Sequence, residues 1–268
     1  MWRATFFGRR TAAVALIALA SGCSSSRSAI TAPVEIDIEH RVGTAPLRLG
    51  GTGYRTPAGD EFTVDHLRYY LSNFRLRSAD GRWFANPQSP QSSQGYFLVD
   101  AAAKETQTLR IGPLPQGDYS GIEFLIGVDP ERNHAGAQAG DLDPARGMFW
   151  TWATGYIFFK LEGHSPQSLA EQHQLLYHLG ASDKVSDARR VFLTLQPEPI
   201  HVSASTPAKI HLIADVSQVF DGAHSIRITA LSEAMSPATS APIADNVAGL
   251  FSVDHSHGIA AADHALSP

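Results

Sequence analysis

Histidine is the residue type in this chain best suited to metal chemistry, with twelve histidines against a single cysteine. Two of them, His40 and His178, lie within apolar, strand-like sequence. A buried imidazole needs a polar partner, and a metal ion shared with a second imidazole supplies one. These two residues are the predicted metal ligands. Four other histidines lie among polar residues and are predicted to be solvated: His66, His164, His201 and His224.

Two tryptophans form the second chemical feature, Trp150 and Trp152 in the segment Met-Phe-Trp-Thr-Trp at 148–152. On a strand, both indoles point to the same face. Paired aromatics on one face usually fill a sandwich core, and that is the structural alternative here. The functional interpretation is that His40 and His178 converge on the face that carries the two indoles.

Other side chains are candidates to support such a site. Met148 offers a soft thioether, although it is equally suited to a core. Asp143 and Glu162 offer carboxylates that can orient imidazoles, and for Glu162 a solvated turn position is the alternative. Trp83 follows a turn signal, Asp-Gly at 80–81, and is therefore predicted to be exposed and less suited to the site.

The C-terminal end carries a further group of histidines. The segment Asp-His-Ser-His at 254–257, with His264 beyond, resembles a flexible metal-scavenging tail, and the alternative is a disordered terminus. The sequence has no signature of a phosphate-binding loop, a serine hydrolase, a zinc protease or an attached c-type haem. We therefore expect a protein that is not an enzyme.

Composition excludes several classes of protein. With 43% hydrophobic and 18% charged residues, the chain is neither disordered nor a membrane bundle. The formal net charge of −5 argues against a nucleic-acid partner, which requires a basic face. One cysteine permits no disulfide within the chain and no four-cysteine zinc site.

The N-terminus predicts export. Three arginines precede an apolar run at 11–20 that is too short to span a bilayer as a mature helix. The run leads into Ala-Ser-Gly-Cys at 20–23, which resembles a bacterial lipobox with alanine where leucine is usual. We expect a lipoprotein signal peptide over 1–22, lipid on Cys23, and a periplasmic body anchored, we infer, to the outer membrane. An ordinary cleaved signal peptide is the alternative.

The rest of the chain predicts an all-β protein, an antiparallel β-sandwich with long loops and a short helix at 166–174. The small polar residues of 23–33 predict a tether. One domain is expected over 34–250, followed by a histidine-containing tail over 251–268. Short runs of apolar and alternating sequence predict strands over 34–40, 62–67, 69–77, 96–100, 108–112, 119–128, 190–195, 208–216 and 225–229.

Several blocks, in their order along the chain, resemble one known family. They are Ile-Glu-His at 38–40, Tyr-Tyr-Leu-Ser-Asn at 69–73, Gly-Met-Phe-Trp-Thr-Trp at 147–152, Gly-Tyr at 155–156, Lys-Leu-Glu-Gly at 160–163 and Tyr-His-Leu-Gly at 177–180. This order resembles the MbnP-like family of periplasmic copper-binding proteins, known from methanobactin operons. The resemblance spans about residues 34–255.

The resemblance implies a modified residue and a partner. In that family a tryptophan, here Trp150 or Trp152, is oxidised to kynurenine by a diheme enzyme, a cytochrome c peroxidase or MauG-like protein. The product then helps to form a copper site, expected to hold one Cu(I), with histidines, here His40 and His178. Some relatives carry a four-cysteine motif, which this chain lacks. From the residues alone, a sandwich that binds carbohydrate or peptide without metal is the alternative.

Overall fold

The computed structural model describes Met1 and residues 30–89, 92–136, 138–151, 154–182, 184–205 and 207–258. Cys23, Trp152 and His264 lie outside the described residues. The strands of the described part are β1 (Thr31–Val42), β2 (Ala45–Pro46), β3 (Tyr54–Arg55), β4 (Glu61–Phe62), β5 (His66–Ser78), β6 (Trp83–Ala85), β7 (Tyr96–Asp100), β8 (Thr108–Pro115), β9 (Gly117–Ile126), β10 (Phe149–Thr151), β11 (Gly155–Tyr156), β12 (Phe159–His164), β13 (Gln174–Leu179), β14 (Arg189–Thr194), β15 (Ile200–Val202), β16 (Ala208–Asp215), β17 (Glu233–Ala234) and β18 (Phe251–His257). The α-helices of that part are α1 (Pro130–Asn133) and α2 (Pro237–Val247).

Two sheets pack face to face in the described part of the chain. The five-stranded sheet has the order β18-β16-β1-β2, and β8 also pairs with β1. The nine-stranded sheet has the order β14-β9-β5-β12-β13-β17, with β15 on β9 and both β6 and β7 on β5. This arrangement confirms the predicted all-β, sandwich-like fold. Two pairs, β1 with β16 and β13 with β17, are parallel, so the sheets are mixed rather than wholly antiparallel.

Strand β1 shows why the sandwich forms. Its residues alternate between buried and solvent-facing positions, as the sequence predicts, and Ile36, Ile38 and His40 all point inward. Across the core, the ring of Tyr69 on β5 stacks with Phe159 on β12 at 6.1 Å between centroids. Tyr69 also meets Phe251 of the five-stranded sheet edge-on at 5.7 Å, so it joins the two sheets.

The middle of strand β5, residues 69–72, is buried on both faces of the sheet. Tyr69 faces the core between the sheets, and the next residue, Tyr70, faces the opposite side, yet both are fully buried. A second and smaller hydrophobic cluster covers Tyr70 on the outer face of the nine-stranded sheet. We call it the outer cluster; its buried members are Tyr70, Tyr96, Leu98, Val128, Leu142, Met148, Tyr156, Ile157, Phe158 and Ala181, with Phe149, Trp150 and Ala188 packed against it.

The helices differ from the predicted one. Residues 166–174 form no α-helix; their regular element is a single 3-10 turn at Glu171–His173, interrupted by a positive φ of 55° at Gln172. The eleven-residue helix α2 was not predicted. Its buried positions Ile243, Ala244 and Val247 follow helical spacing, but short polar and small residues dilute the apolar period. Within the described residues, we find no helix long and apolar enough to cross a membrane.

Several predicted boundaries also differ. Residues 225–229 form no strand; Ser225 makes an isolated bridge to Asp221. Strand β1 begins at Thr31, so the last three residues of the predicted tether belong to the sheet. Residues 251–257, assigned to the C-terminal tail, form β18 and pair with β16. Without β18, β16 would be an edge strand with unpaired backbone N–H and C=O groups. Pairing with β18 satisfies these groups and those of residues 251–257, which an isolated tail would leave to water.

Candidate metal centre

A short hairpin, β10 with β11, carries the tryptophan segment over the outer cluster. Asn133, at the end of α1, anchors it: Oδ1 accepts from the Tyr156 N–H at 2.8 Å, and Nδ2 donates to the carbonyl of Thr154 at 3.2 Å. Gly155 has a φ of 77°, and Asn133 occupies the space in which a Cβ at Gly155 would lie. Only glycine fits this turn without strain, which explains the Gly-Tyr block.

Trp150 is half-buried and lies directly on Gly180, the residue that follows β13. A Cβ added at Gly180 would lie 2.7 Å from Cζ3 and 3.2 Å from Cη2 of the indole, and 2.9 Å from the carbonyl oxygen of Tyr156. A side chain at position 180 would therefore displace the indole. Because Gly180 has no side chain, the indole of Trp150 can pack directly against its backbone.

His178 lies on the same face of the nine-stranded sheet as Gly180, because the two residues are two positions apart on an extended chain. It pairs across the strands with Lys160 and is buried, with 8% of its surface exposed. Nε2 donates to Glu162 Oε1 at 2.8 Å, which leaves Nδ1 of a neutral ring free to accept or to bind a metal. Burial lowers the pKa of His178, and the hydrogen bond and charge of Glu162 oppose that shift without cancelling it.

Glu162 orients this imidazole. The Lys160 ammonium lies 3.0 Å from Glu162 Oε1, so the carboxylate holds a cation and an imidazole together. Burial acts to raise the pKa of Glu162, but Lys160 and His178 outweigh it and hold the pKa below its usual value. Glu162 is therefore ionised at neutral pH and keeps the His178 ring in one tautomer and one orientation.

His40 occupies a different place. Its Nε2 is hydrogen-bonded to the hydroxyl of Tyr69 at 2.8 Å, in the core between the two sheets. Burial lowers the pKa of His40 to about 4, against smaller opposing effects of Gln107 and Asp100. The imidazole is thus neutral, buried and satisfied by a phenol, as expected for a core histidine with a hydrogen-bond partner.

The structure therefore does not bring His40 and His178 together. In the register of the nine-stranded sheet, Tyr69, Phe159 and Leu179 form one row on the core face. His178 is the neighbour of Leu179 and so points to the outer face, whereas His40 contacts Tyr69 on the core face. Of the two predicted imidazoles, the one that shares a face with Trp150 is His178.

The other predicted supporting residues take separate roles. Met148 is fully buried in the outer cluster against which Trp150 packs. Glu162 contacts His178, whereas Asp143 caps a 3-10 turn through Oδ1, which accepts from the N–H of Ala145 at 2.9 Å. Trp83 is 39% exposed, as its position after a turn predicted. The guanidinium of Arg75 lies over its ring, 4.4 Å from the centroid.

One histidine near the hairpin was missed. His134 is exposed, directly follows Asn133, and lines a cavity of about 190 Å³ together with Phe158 and Ala181 of the outer cluster. The sequence feature that could have indicated its position is the Asp-Pro pair at 129–130, which is typical of a helix start. Asp129 caps this helix by accepting a hydrogen bond from the N–H of Arg132. A capped turn there presents residue 134 beside the hairpin base.

The donor side chains on the sheet face that carries Trp150 suit a soft metal ion. A buried thioether, an imidazole with a free Nδ1 and a carboxylate that orients it lie on one sheet face, and the chain offers no thiolate in the described residues. Thioether and imidazole ligands favour copper, and Cu(I) in particular, over hard cations. The residues present therefore fit a copper ion.

The fold and this site define a β-sandwich protein with a candidate soft-metal centre on the outer face of one sheet. The family model of MbnP matches residues 31–237, and the chain belongs to the MbnP family. The solved structure of MbnP from Methylosinus trichosporium has a similar fold, with a TM-score of 0.55 and 16% sequence identity, covering 83% of this chain and 98% of that chain. No curated protein sequence matches the chain.

Proposed function

We propose that this protein binds one copper ion as Cu(I) at the hairpin site, after a tryptophan of the hairpin has been oxidised to kynurenine. The observation that carries the proposal is the position of Trp150, whose indole lies on Gly180 on the sheet face of His178. Membership of a family associated with copper supports it. The protein acts as a binding protein and as the substrate of its partner, rather than as an enzyme.

The oxidation explains how an indole becomes a metal ligand. The indole nitrogen commits its lone pair to the aromatic ring, so it binds metals poorly. Insertion of two oxygen atoms across the Cγ–Cδ1 bond, one from each of two hydrogen peroxide molecules that leave as water, opens the five-membered ring. Hydrolysis then releases formate and leaves an aryl amine and a ketone. A diheme cytochrome c peroxidase or MauG-like partner is the class of enzyme that supplies this oxidation.

Two side chains complete the proposed site. His178 offers Nδ1, because Nε2 is held by Glu162. Met148 offers a thioether from the outer cluster against which Trp150 packs. The bound copper supplies no chemistry of its own in this proposal; the site stores or delivers it. We assign the oxidation to Trp150, because its indole packs against the outer cluster and lies on Gly180.

His178→Gln is expected to weaken Cu(I) binding about tenfold, or about 1.4 kcal/mol, in protein produced with the diheme partner. Glutamine can keep a hydrogen bond to Glu162 but removes the imidazole nitrogen that we assign as ligand. The measurement is competition for Cu(I) against a chromophoric chelator. His40→Gln is the matched control, because it changes a buried histidine on the other sheet face.

Unchanged affinity in His178→Gln would remove this residue from the site. If His134→Ala weakened Cu(I) binding instead, the imidazole ligand would be His134 in the neighbouring loop. If His40→Gln weakened binding as much as His178→Gln, the effect would be one of stability and not of ligation.

We further propose that the protein is a periplasmic lipoprotein held by lipid on Cys23. The support is the lipobox-like Ala-Ser-Gly-Cys at 20–23 and the small polar residues after it. We expect Cys23→Ala to give an unprocessed or soluble form, whereas the parent chain fractionates with membranes and is released by detergent. Recovery of the parent chain in the periplasmic fraction without detergent would contradict lipidation.

A further inference from the structure

Three imidazoles meet on the solvent-facing side of the five-stranded sheet, on the opposite side of the sandwich from Trp150. His211 on β16 pairs directly with His255 on β18, and His257 lies two residues further along β18. The rings of His211 and His255 stack at 4.1 Å between centroids, and His257 lies 5.3 Å and 5.0 Å from them. We call these residues the three-histidine cluster.

A β-bulge creates this cluster. His211 pairs with His255 but the next residue, Leu212, pairs with Val253, so Asp254 is an extra residue in β18. Under strict alternation, His255 and His257 would share the inward face of Phe251 and Val253. The bulge reverses the alternation, and both histidines turn outward to the face of His211.

The distances are close to those of a metal site. One ligand atom from each ring can be chosen so that all three lie within 4.8 Å of one another. Around a tetrahedral ion with bonds of about 2.0–2.1 Å, nitrogen ligands lie about 3.4 Å apart. His255 and His257 are exposed, so rotation of their side chains closes the remaining gap without disturbing the core.

Carboxylates surround the rings as they do in metal centres. Asp254 Oδ2 accepts from His255 Nδ1 at 2.7 Å, which leaves Nε2 of that ring free for a metal. Asp37 Oδ2 lies 3.7 Å from His211 Nδ1 and is also paired with Lys209 at 2.9 Å. These acidic groups favour a cation beside the cluster, and the Lys209 ammonium balances only part of their charge.

We propose that His211, His255 and His257 form a second metal site, distinct from the hairpin site, that binds a divalent transition-metal ion with Cu²⁺ preferred over Zn²⁺. Imidazole nitrogens suit both ions, and the affinity order of divalent metals places Cu²⁺ above Zn²⁺. Three protein ligands leave a fourth position for water or for a donor from another molecule. The site rests on different residues, a different sheet and a different copper oxidation state from the proposed function.

The test is titration of untagged full-length protein with Cu²⁺, purified in detergent and produced without the diheme partner. We expect one equivalent to bind with imidazole nitrogen couplings in the electron paramagnetic resonance spectrum. His211→Ala and His255→Ala should each weaken binding at least tenfold. His164→Ala is the matched control, because His164 is also an exposed histidine paired with a carboxylate, Asp65.

Two further variants separate this proposal from the others. Trp150→Phe should leave Cu²⁺ binding at the three-histidine cluster unchanged, since the hairpin is a separate two-stranded sheet that packs over the outer cluster and not over the five-stranded sheet. If His255→Ala loses binding but His211→Ala does not, the ion is held by the linear segment 254–257 and the three-histidine cluster is wrong as a site. The proposal would also be overturned if His264→Ala lost Cu²⁺ binding while His211→Ala kept it. Equal Cu²⁺ binding by all variants would overturn it as well.

Discussion

A Trp150→Phe variant produced with the proposed diheme partner is expected to lose Cu(I) affinity at least 100-fold, or about 2.7 kcal/mol. Phenylalanine keeps an aromatic ring over Gly180, so the packing of the hairpin is largely preserved. It has no pyrrole ring to open, so neither the aryl amine nor the ketone can form. The remaining imidazole and thioether are too few to hold copper tightly without that third donor.

Two measurements check this prediction. Mass spectrometry of the peptide that contains residues 148–152 should show the gain of two oxygens, or of one oxygen with loss of one carbon, in the parent chain alone. Chelator competition then reports Cu(I) affinity. Trp83→Phe is the matched control, because Trp83 is an exposed tryptophan outside the outer cluster.

The outcomes distinguish between the two tryptophans of the segment 148–152. If Trp150→Phe keeps both the mass change and the affinity while Trp152→Phe loses them, the modified residue is Trp152. If neither variant changes and the parent chain binds no Cu(I), the proposed function fails. The carbohydrate- or peptide-binding interpretation of the sandwich would then be the one to pursue.

Acidification is expected to destabilise the fold through His40. Burial lowers the pKa of this imidazole to about 4, against a usual value of 6.5. Between these values the unfolded chain binds a proton that the folded chain does not, so the stabilising contribution is full above pH 6.5 and falls as the pH drops towards 4. The loss in the free energy of unfolding amounts to roughly 2 to 3 kcal/mol between about pH 8 and pH 4.5.

Urea denaturation at the two pH values measures this loss. In His40→Gln the pH-dependent loss should shrink by most of that amount, because glutamine can still hydrogen-bond to Tyr69 but does not titrate in this range. Part of the dependence should persist, since burial lowers the pKa of His178 in the same direction. His164→Gln, at an exposed histidine, is the control. An undiminished pH dependence in His40→Gln would show that His40 is accessible to protons in the folded state.

Local patterns were enough for much of the sandwich. The alternation of Ile36 and Ile38 with Asp37 predicted both β1 and the inward direction of His40. The apolar face of such a strand must be buried, and His40 lies on that face. Strand β7 was predicted with its observed ends, 96–100. The Lys-Leu-Glu-Gly block ends in Gly163, where the carbonyl of Thr63 occupies the space of a Cβ. The block could be recognised, but that contact could not be foreseen from it.

Patterns that depend on partners in space were missed. Helix α2 is short of strongly apolar residues, so its period is weak in isolation, and it is stabilised by packing against β13 and β14. Strand β18 resembled a tail because its polar, histidine-rich sequence has no amphipathic pattern. It becomes a strand because β16 offers an edge to pair with.

By itself, the sequence determined that this is an all-β protein with two buried imidazoles and an aromatic segment that carries two tryptophans, because burial and alternation are local properties of a strand. Only the tertiary structure decided which groups meet. His178 and Leu179 are consecutive residues, yet their side chains lie on opposite faces of a sheet. A register set by other strands therefore separates His178 from His40 and puts it on the sheet face that carries Trp150. In the same way, one inserted residue, Asp254, turns His255 and His257 to the face of His211. A register shift of a single residue reverses the face of every side chain beyond it, and pairing partners distant in the chain set that register.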